Sequence, residues 1–221
     1  MKQPWWKRFL SNFFTIPLEK VKSEYSTTLE VVLNKGRYAL CTEHAVYSYE
    51  DLYINFRDSF YKIDLDSHKI DKVLILGVGL LSIPIILEKL LLKNYSYTCV
   101  DIDPEVVRLA KKYGLPQLES KIELHCADAF EYIKKETDTY GLIIVDIFID
   151  DKVPSVFETT DFLQNLKRRF ERNGLLMYNR MAQNNEAIEK TEQFYKNEFK
   201  KLFNDTDMLV LKGNRMLLAK L

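Results

Sequence analysis

The stretch Val73-Leu74-Ile75-Leu76-Gly77-Val78-Gly79 reads as a buried strand that runs into a glycine-bracketed turn, with a helical pattern over residues 82–92 beyond it. A short continuous apolar run closed by glycine is the signature of a strand covered on both faces. Glycines between a strand and a helix let a ligand approach the backbone while the helix amides face it. Tight turns also use glycine for steric reasons alone, so the stretch gains its meaning from what surrounds it.

Working outward, a second strand over 97–100 ends in Asp101-Ile102-Asp103-Pro104. Asp101 falls about twenty residues beyond the glycines, where an acid accepts both hydroxyls of a ribose. Asp103 followed by Pro104 is a helix start, with the aspartate as N-cap. A third strand over 122–126 leads into Ala127-Asp128-Ala129. Asp128 there either accepts a hydrogen bond from an adenine amino group or caps the next helix. A fourth strand, 142–146, is apolar until Asp146, with Asp150 and Asp151 just beyond. One carboxylate at the carboxyl end of a buried strand, where the reacting end of a cofactor would sit, is the best catalytic candidate.

A fifth strand over 174–178 and helices over 104–113, 130–135, 160–170 and 185–202 complete a strand–helix alternation, which with right-handed crossovers makes a mainly parallel sheet covered on both faces. The tail MLVLKGNRMLLAKL predicts an antiparallel hairpin through Lys212-Gly213-Asn214. Strand-like runs at 29–33 and 37–41, joined by Asn34-Lys35-Gly36, predict a small N-terminal β element. Residues 49–63 read as an amphipathic helix started by Ser48. The expected organisation is an N-terminal segment, 1–48, ahead of a Rossmann-like α/β domain, 49–221.

Composition narrows the function. Thirty-two basic residues balance thirty-two acidic ones in 221, so no global field attracts nucleic acid or an anionic membrane. The longest apolar stretch is broken by Pro84, Glu88 and Lys89, which speaks against stable membrane insertion. Cys41, Cys99 and Cys126 form no CxxC pair, and no secretory h-region precedes them, so a cytoplasmic protein with buried thiols is expected. His44, His68 and His125 lack ligand spacing, and no metal is expected. WWKRFLSNFF, near the N-terminus, is basic and aromatic: a short helix for its own domain, a partner or a membrane surface, with packing on its own chain expected.

VLILGVG, VDIDPEVVRLAKKYGL, KIELHCADAFEYIKK and YGLIIVDIF together resemble the core of the spermidine synthase family of adenosyl-dependent aminopropyltransferases. The pattern D-x-F-x-x-D-x-V-P from Asp146 to Pro154 is similar to a divergent bacterial branch. The resemblance implies a class I methyltransferase-like fold and a donor of the S-adenosylmethionine type, decarboxylated or not. It implies Gly77 and Gly79 at the donor's tail, Asp101 on its ribose with Ile102 among the cofactor-binding residues, Asp128-Ala129 beside adenine, and Asp146 as the catalytic aspartate. Tyr47-Ser48-Tyr49-Glu50 is similar to the family's Y-H-E element, so Tyr47, Tyr49 and Glu50 join Asp150 as substrate candidates.

Two departures stand out. The family's GGGDGG loop is replaced after Gly79 by Leu80-Leu81-Ser82, which removes the loop aspartate, and the family's second loop acid falls on Ile149, with Asp150 one position away. The expected reaction is alkyl transfer from an adenosyl sulfonium to a small-molecule amine, Asp146 orienting and deprotonating it. Aminopropyl transfer to a polyamine comes first, methyl transfer second, and a non-catalytic nucleoside-binding protein third. A dehydrogenase is disfavoured because Ser82 stands where G-x-G-x-x-G needs glycine. A homodimer is left open.

Overall fold

The computed structural model describes residues 3–43, 45–148 and 153–220. In chain order these form α1 (Trp5–Leu10), β1 (Ile16–Val21), β2 (Leu29–Asn34), β3 (Arg37–Cys41), β4 (Val46–Ser48), α2 (Ile54–Phe60) and β5 (Lys72–Leu76). There follow α3 (Ser82–Ile85, continued by a wider turn, Ile86–Leu90), β6 (Ser96–Asp101), α4 (Pro104–Leu109, continued by Ala110–Gly114), β7 (Ile122–Cys126), α5 (Ala129–Lys135) and β8 (Tyr140–Val145). The last elements are α6 (Thr160–Arg168), β9 (Phe170–Met181), α7 (Asn185–Phe194, continued to Leu202), β10 (Asp205–Leu211) and β11 (Asn214–Lys220).

The expected α/β architecture is observed. The large sheet runs β10-β11-β9-β8-β5-β6-β7, parallel from β9 to β7 and closed by the antiparallel pair β10 and β11. Strand alternation sends its apolar residues to both faces. Val73 and Ile75 join Leu142, Ile144 and Met177 in one core, while Leu74 and Leu76 join Ile143, Val145 and Tyr178 in the other. Each of these side chains is at most 1 % exposed, so each contributes roughly 1.5–3 kcal/mol of burial.

The second sheet is the antiparallel meander β1-β2-β3-β4. Its buried face, Leu29, Val31, Leu33 and Leu40, packs with Leu80 and with Val106, Leu109 and Tyr113 of α4. Glu19 of β1 reinforces the contact by accepting from Arg108, Lys112 and Tyr113 at 2.7–2.8 Å.

Two local expectations are corrected. Ser48 does not start a helix: it closes β4, its hydroxyl meets that of Ser82 at 2.7 Å, and a single 3-10 turn, Glu50–Leu52, intervenes before α2. The N-terminal segment does not pack its aromatics on its own chain, because no residue of α1 is buried. Polar contacts hold it instead: Ser11 accepts at its carbonyl from the Lys35 amide and at its hydroxyl from the Gly36 amide.

Candidate active site

Strands β5, β6 and β8 end together with β9 at a cleft of about 380 Å³. Asp146 follows β8 directly, its amide donating to the Leu76 carbonyl at 2.8 Å. That bond needs the two strand ends in close contact, and Gly77 makes the contact possible. A Cβ at Gly77 would stand 2.1 Å from the Asp146 carbonyl oxygen, and the residue has φ +93°. A Cβ at Gly79 would meet that of Ser48 at 2.8 Å, with φ +51°. Both glycines line the cleft, yet the requirement for them comes from neighbouring chain and from left-handed backbone as well as from any ligand.

The Asp146 carboxylate is held from both sides. Tyr53, just before α2, donates to Oδ2 at 2.9 Å, and Asn179 of β9 donates to Oδ1 at 2.9 Å. Asn179 in turn accepts at 2.9 Å from the side-chain amide of Asn214, the first residue of β11. Burial pushes Asp146 up to about 6 against the pull of these hydrogen bonds, with the Asp101 charge adding to the rise. Burial and the adjoining carboxylate also raise the Tyr53 phenol, so it stays protonated and donates. A carboxylate poised near neutrality, oriented by two donors and open to a cleft, is equipped to accept a proton.

Asp101 ends β6 with one oxygen accepting from the Val78 amide at 2.9 Å and the other from the Asp103 amide at 3.0 Å. Burial pushes it up to about 6 as well. The Gly79 amide adds to these donors, so three backbone amides hold the carboxylate at the cleft. Asp103 caps α4, accepting from the Glu105 amide at 2.8 Å, with Pro104 at the first helical position. Asp128 caps α5 through the Glu131 amide at 2.9 Å and also lines the cleft. Ile102 and Ala129 line the same wall, Tyr25 and Ser26 come to it from the β1–β2 connection, and Val156 and Phe157 come from the far side.

Of the substrate candidates, Tyr47 lines the cleft. Tyr49 and Glu50 are placed elsewhere: the Tyr49 hydroxyl donates to Asn34, and the buried Glu50 accepts from the Tyr38 amide and from Gln117. Asp150 and Asp151 lie outside the described residues. Tyr53, Asn179 and Asn214 were not anticipated. Tyr53 sits in the aromatic spacing of a core helix, while Asn179 and Asn214 are polar residues at the end and start of apolar strands, the same signal that singled out Asp146.

The charge of the cleft is one-sided. Asp101, Asp103, Asp128 and Asp146 line it, and among the described residues no lysine, arginine or histidine does. Where the family pattern has its loop aspartate, Leu80 and Leu81 are instead 1 % exposed, Leu80 against the small sheet and Leu81 in the main core. Among the described residues no group of His, Cys, Asp and Glu could hold a metal.

Comparison with known proteins agrees with this fold. A family model described as the spermine/spermidine synthase domain matches residues 61–212. The polyamine aminopropyltransferase of Vibrio vulnificus is 28% identical over 156 residues, covering 69% of this chain and 51% of the relative. The chain thus spans about half the length of the curated relatives it matches. Among solved structures, a probable spermidine synthase from Corynebacterium glutamicum superposes with TM-score 0.74 at 18% identity over 91% of this chain and 79% of that one. A spermidine synthase in complex with the transition state analogue AdoDATO gives 0.73 at 16% identity, over 93% and 73%. On the match of the family model, the chain belongs to the spermine/spermidine synthase domain family.

Proposed function

We propose that the protein transfers an aminopropyl group from decarboxylated S-adenosylmethionine to an amine of the polyamine class. The observation that carries this reading is the cleft's charge: four carboxylates and, among the described residues, no cationic side chain. Such a site favours substrates that are cationic throughout, and the decarboxylated donor brings no carboxylate that would need a partner. The bound donor would supply an electrophilic carbon next to a sulfonium.

Asp101 would hold the ribose, and Ile102, Asp128 and Ala129 the base. Gly77 and Gly79 would leave room for the donor's tail, and Tyr47 would flank the acceptor. Asp146 attracts the acceptor's ammonium and accepts the proton it sheds. The freed lone pair forms the nitrogen–carbon bond as the carbon–sulfur bond breaks, and the sulfur leaves with that electron pair as a neutral thioether. Tyr53 and Asn179 keep the carboxylate aimed through this step, so much of the rate comes from positioning.

Methyl transfer is the second reading, favoured by Leu80 and Leu81 at the site of the missing loop acid. Incubating the protein with putrescine or spermidine and each donor separates the two. Release of methylthioadenosine with a product heavier by one aminopropyl unit supports the first. A methylated amine made only from S-adenosylmethionine sinks it in favour of the second, and neither product with either donor removes both.

A further inference from the structure

The segment that carries α1 offers the surroundings a patch unlike the rest of the surface. Trp5, Trp6, Phe9, Phe13 and Phe14 are 79, 49, 59, 67 and 70 % exposed. Exposed aromatics clustered in one short segment signal a binding surface. The patch is built, not loose: Ser11 ties it to the Asn34–Arg37 turn through two backbone amides, the Ser11 hydroxyl donates back to the Arg8 carbonyl at 2.7 Å, and Phe9 and Phe13 meet edge to face at 5.6 Å.

Its charge has one sign. Residues 1–18 contain Lys2, Lys7 and Arg8 and no acid, although the chain as a whole is neutral. Lys7 lies over the Trp6 ring and Arg8 over that of Tyr38, so the cations are interleaved with the aromatics. The anchoring turn is the end of the small sheet away from Ser26 and Ala45, which line the cleft, so an occupied patch leaves the cleft mouth free.

We propose that this patch adsorbs the protein onto an anionic lipid surface. Tryptophan and phenylalanine settle at the boundary between headgroups and acyl chains, and adjacent lysine and arginine pair with lipid phosphates. A second copy of the chain is a poorer occupant, because a two-fold contact would bring Lys7 and Arg8 of both copies together with no acid in the segment to neutralise them. Among the described residues no helix is long and apolar enough to cross a membrane, so the association is peripheral. The proposal is independent of the reaction assigned to the cleft.

Trp5 and Trp6 are the two tryptophans of the chain, so intrinsic fluorescence reports on this patch directly. The protein is mixed with phosphatidylglycerol vesicles or phosphatidylcholine vesicles and followed by emission and co-sedimentation. The expected result is a blue shift with co-sedimentation on the anionic vesicles, tighter than on neutral ones by roughly 10- to 100-fold from its few cations, and weakened by salt. A Phe9→Ser/Phe13→Ser/Phe14→Ser variant and a Lys7→Glu variant, each with unchanged thermal unfolding, are expected to lose the shift and the sedimentation. Absence of binding to anionic vesicles overturns the proposal, as does binding that survives in both variants. A blue shift that grows with protein concentration without lipid, alongside a doubled mass, assigns the patch to self-association and overturns it too.

Discussion

At the scale of single residues, the proposed chemistry rests on how Asp146 is held. Asp146→Asn preserves the shape of the site but cannot take a proton, so turnover is expected to fall by roughly 100- to 10,000-fold with methylthioadenosine binding retained. Calorimetry beside a turnover assay checks this, and a variant keeping a tenth of its activity would remove Asp146 as the base. Tyr53→Phe deletes a donor that stabilises the charged form, so the acid limb of the rate profile, expected near 6, should move to higher pH. Asn179→Ala should move it the same way, and an unmoved limb in both variants would mean that Asp146 does not govern it. Asp101, Asp128 and Asp146 were legible in the sequence because strand ends in this architecture point at one crevice. Tyr53 was not, because aromatic spacing at three to four residues reads as core whether or not one hydroxyl reaches across to another element. The same limit placed Tyr49 and Glu50 in the wrong surroundings: a local pattern does not say that Glu50, at φ +41°, turns inward to the Tyr38 amide.

At the scale of elements, the strand-to-helix turn after β5 joins fold to site. Gly77→Ala would drive a methyl group into the Asp146 carbonyl at positive φ, costing roughly 1–3 kcal/mol and displacing the carboxylate with it. Gly36, also at positive φ but with nothing within 4 Å of an added Cβ, should lose only about 1 kcal/mol as alanine and keep full activity. Urea unfolding and turnover of the two variants test the contrast, and equal losses in both would mean that backbone conformation alone sets the requirement. The succession of strands along the chain and the closing hairpin could be read from apolar runs and turn residues. The exposure of α1 could not, because an amphipathic pattern states that a face is apolar and leaves open what covers it.

At the scale of the whole molecule, acids of opposite tendency set the response to pH. Hydrogen bonds outweigh burial at Glu19, Glu88 and Glu136 and hold them at about 2, so their contribution is present above 4.5 and is lost as pH falls toward 2. Asp101 and Asp146 go the other way: raised from 3.8 to about 6, they favour the folded state at low pH, and that contribution is lost as pH rises through 6. Thermal melts should therefore show stability declining from about pH 4.5 to 7. Asp146→Asn should flatten the decline, and the same slope in wild type and variant would exclude Asp146 as its source. The hydrogen-bonded line from Asp146 through Asn179 to Asn214 has a consequence in time as well as space. The ribosome delivers Asp101, Asp128 and Asp146 before β11, so the line from the carboxylate stays open until Asn214 has paired onto β9. The setting proposed for the base is therefore complete only after β11 has paired with β9.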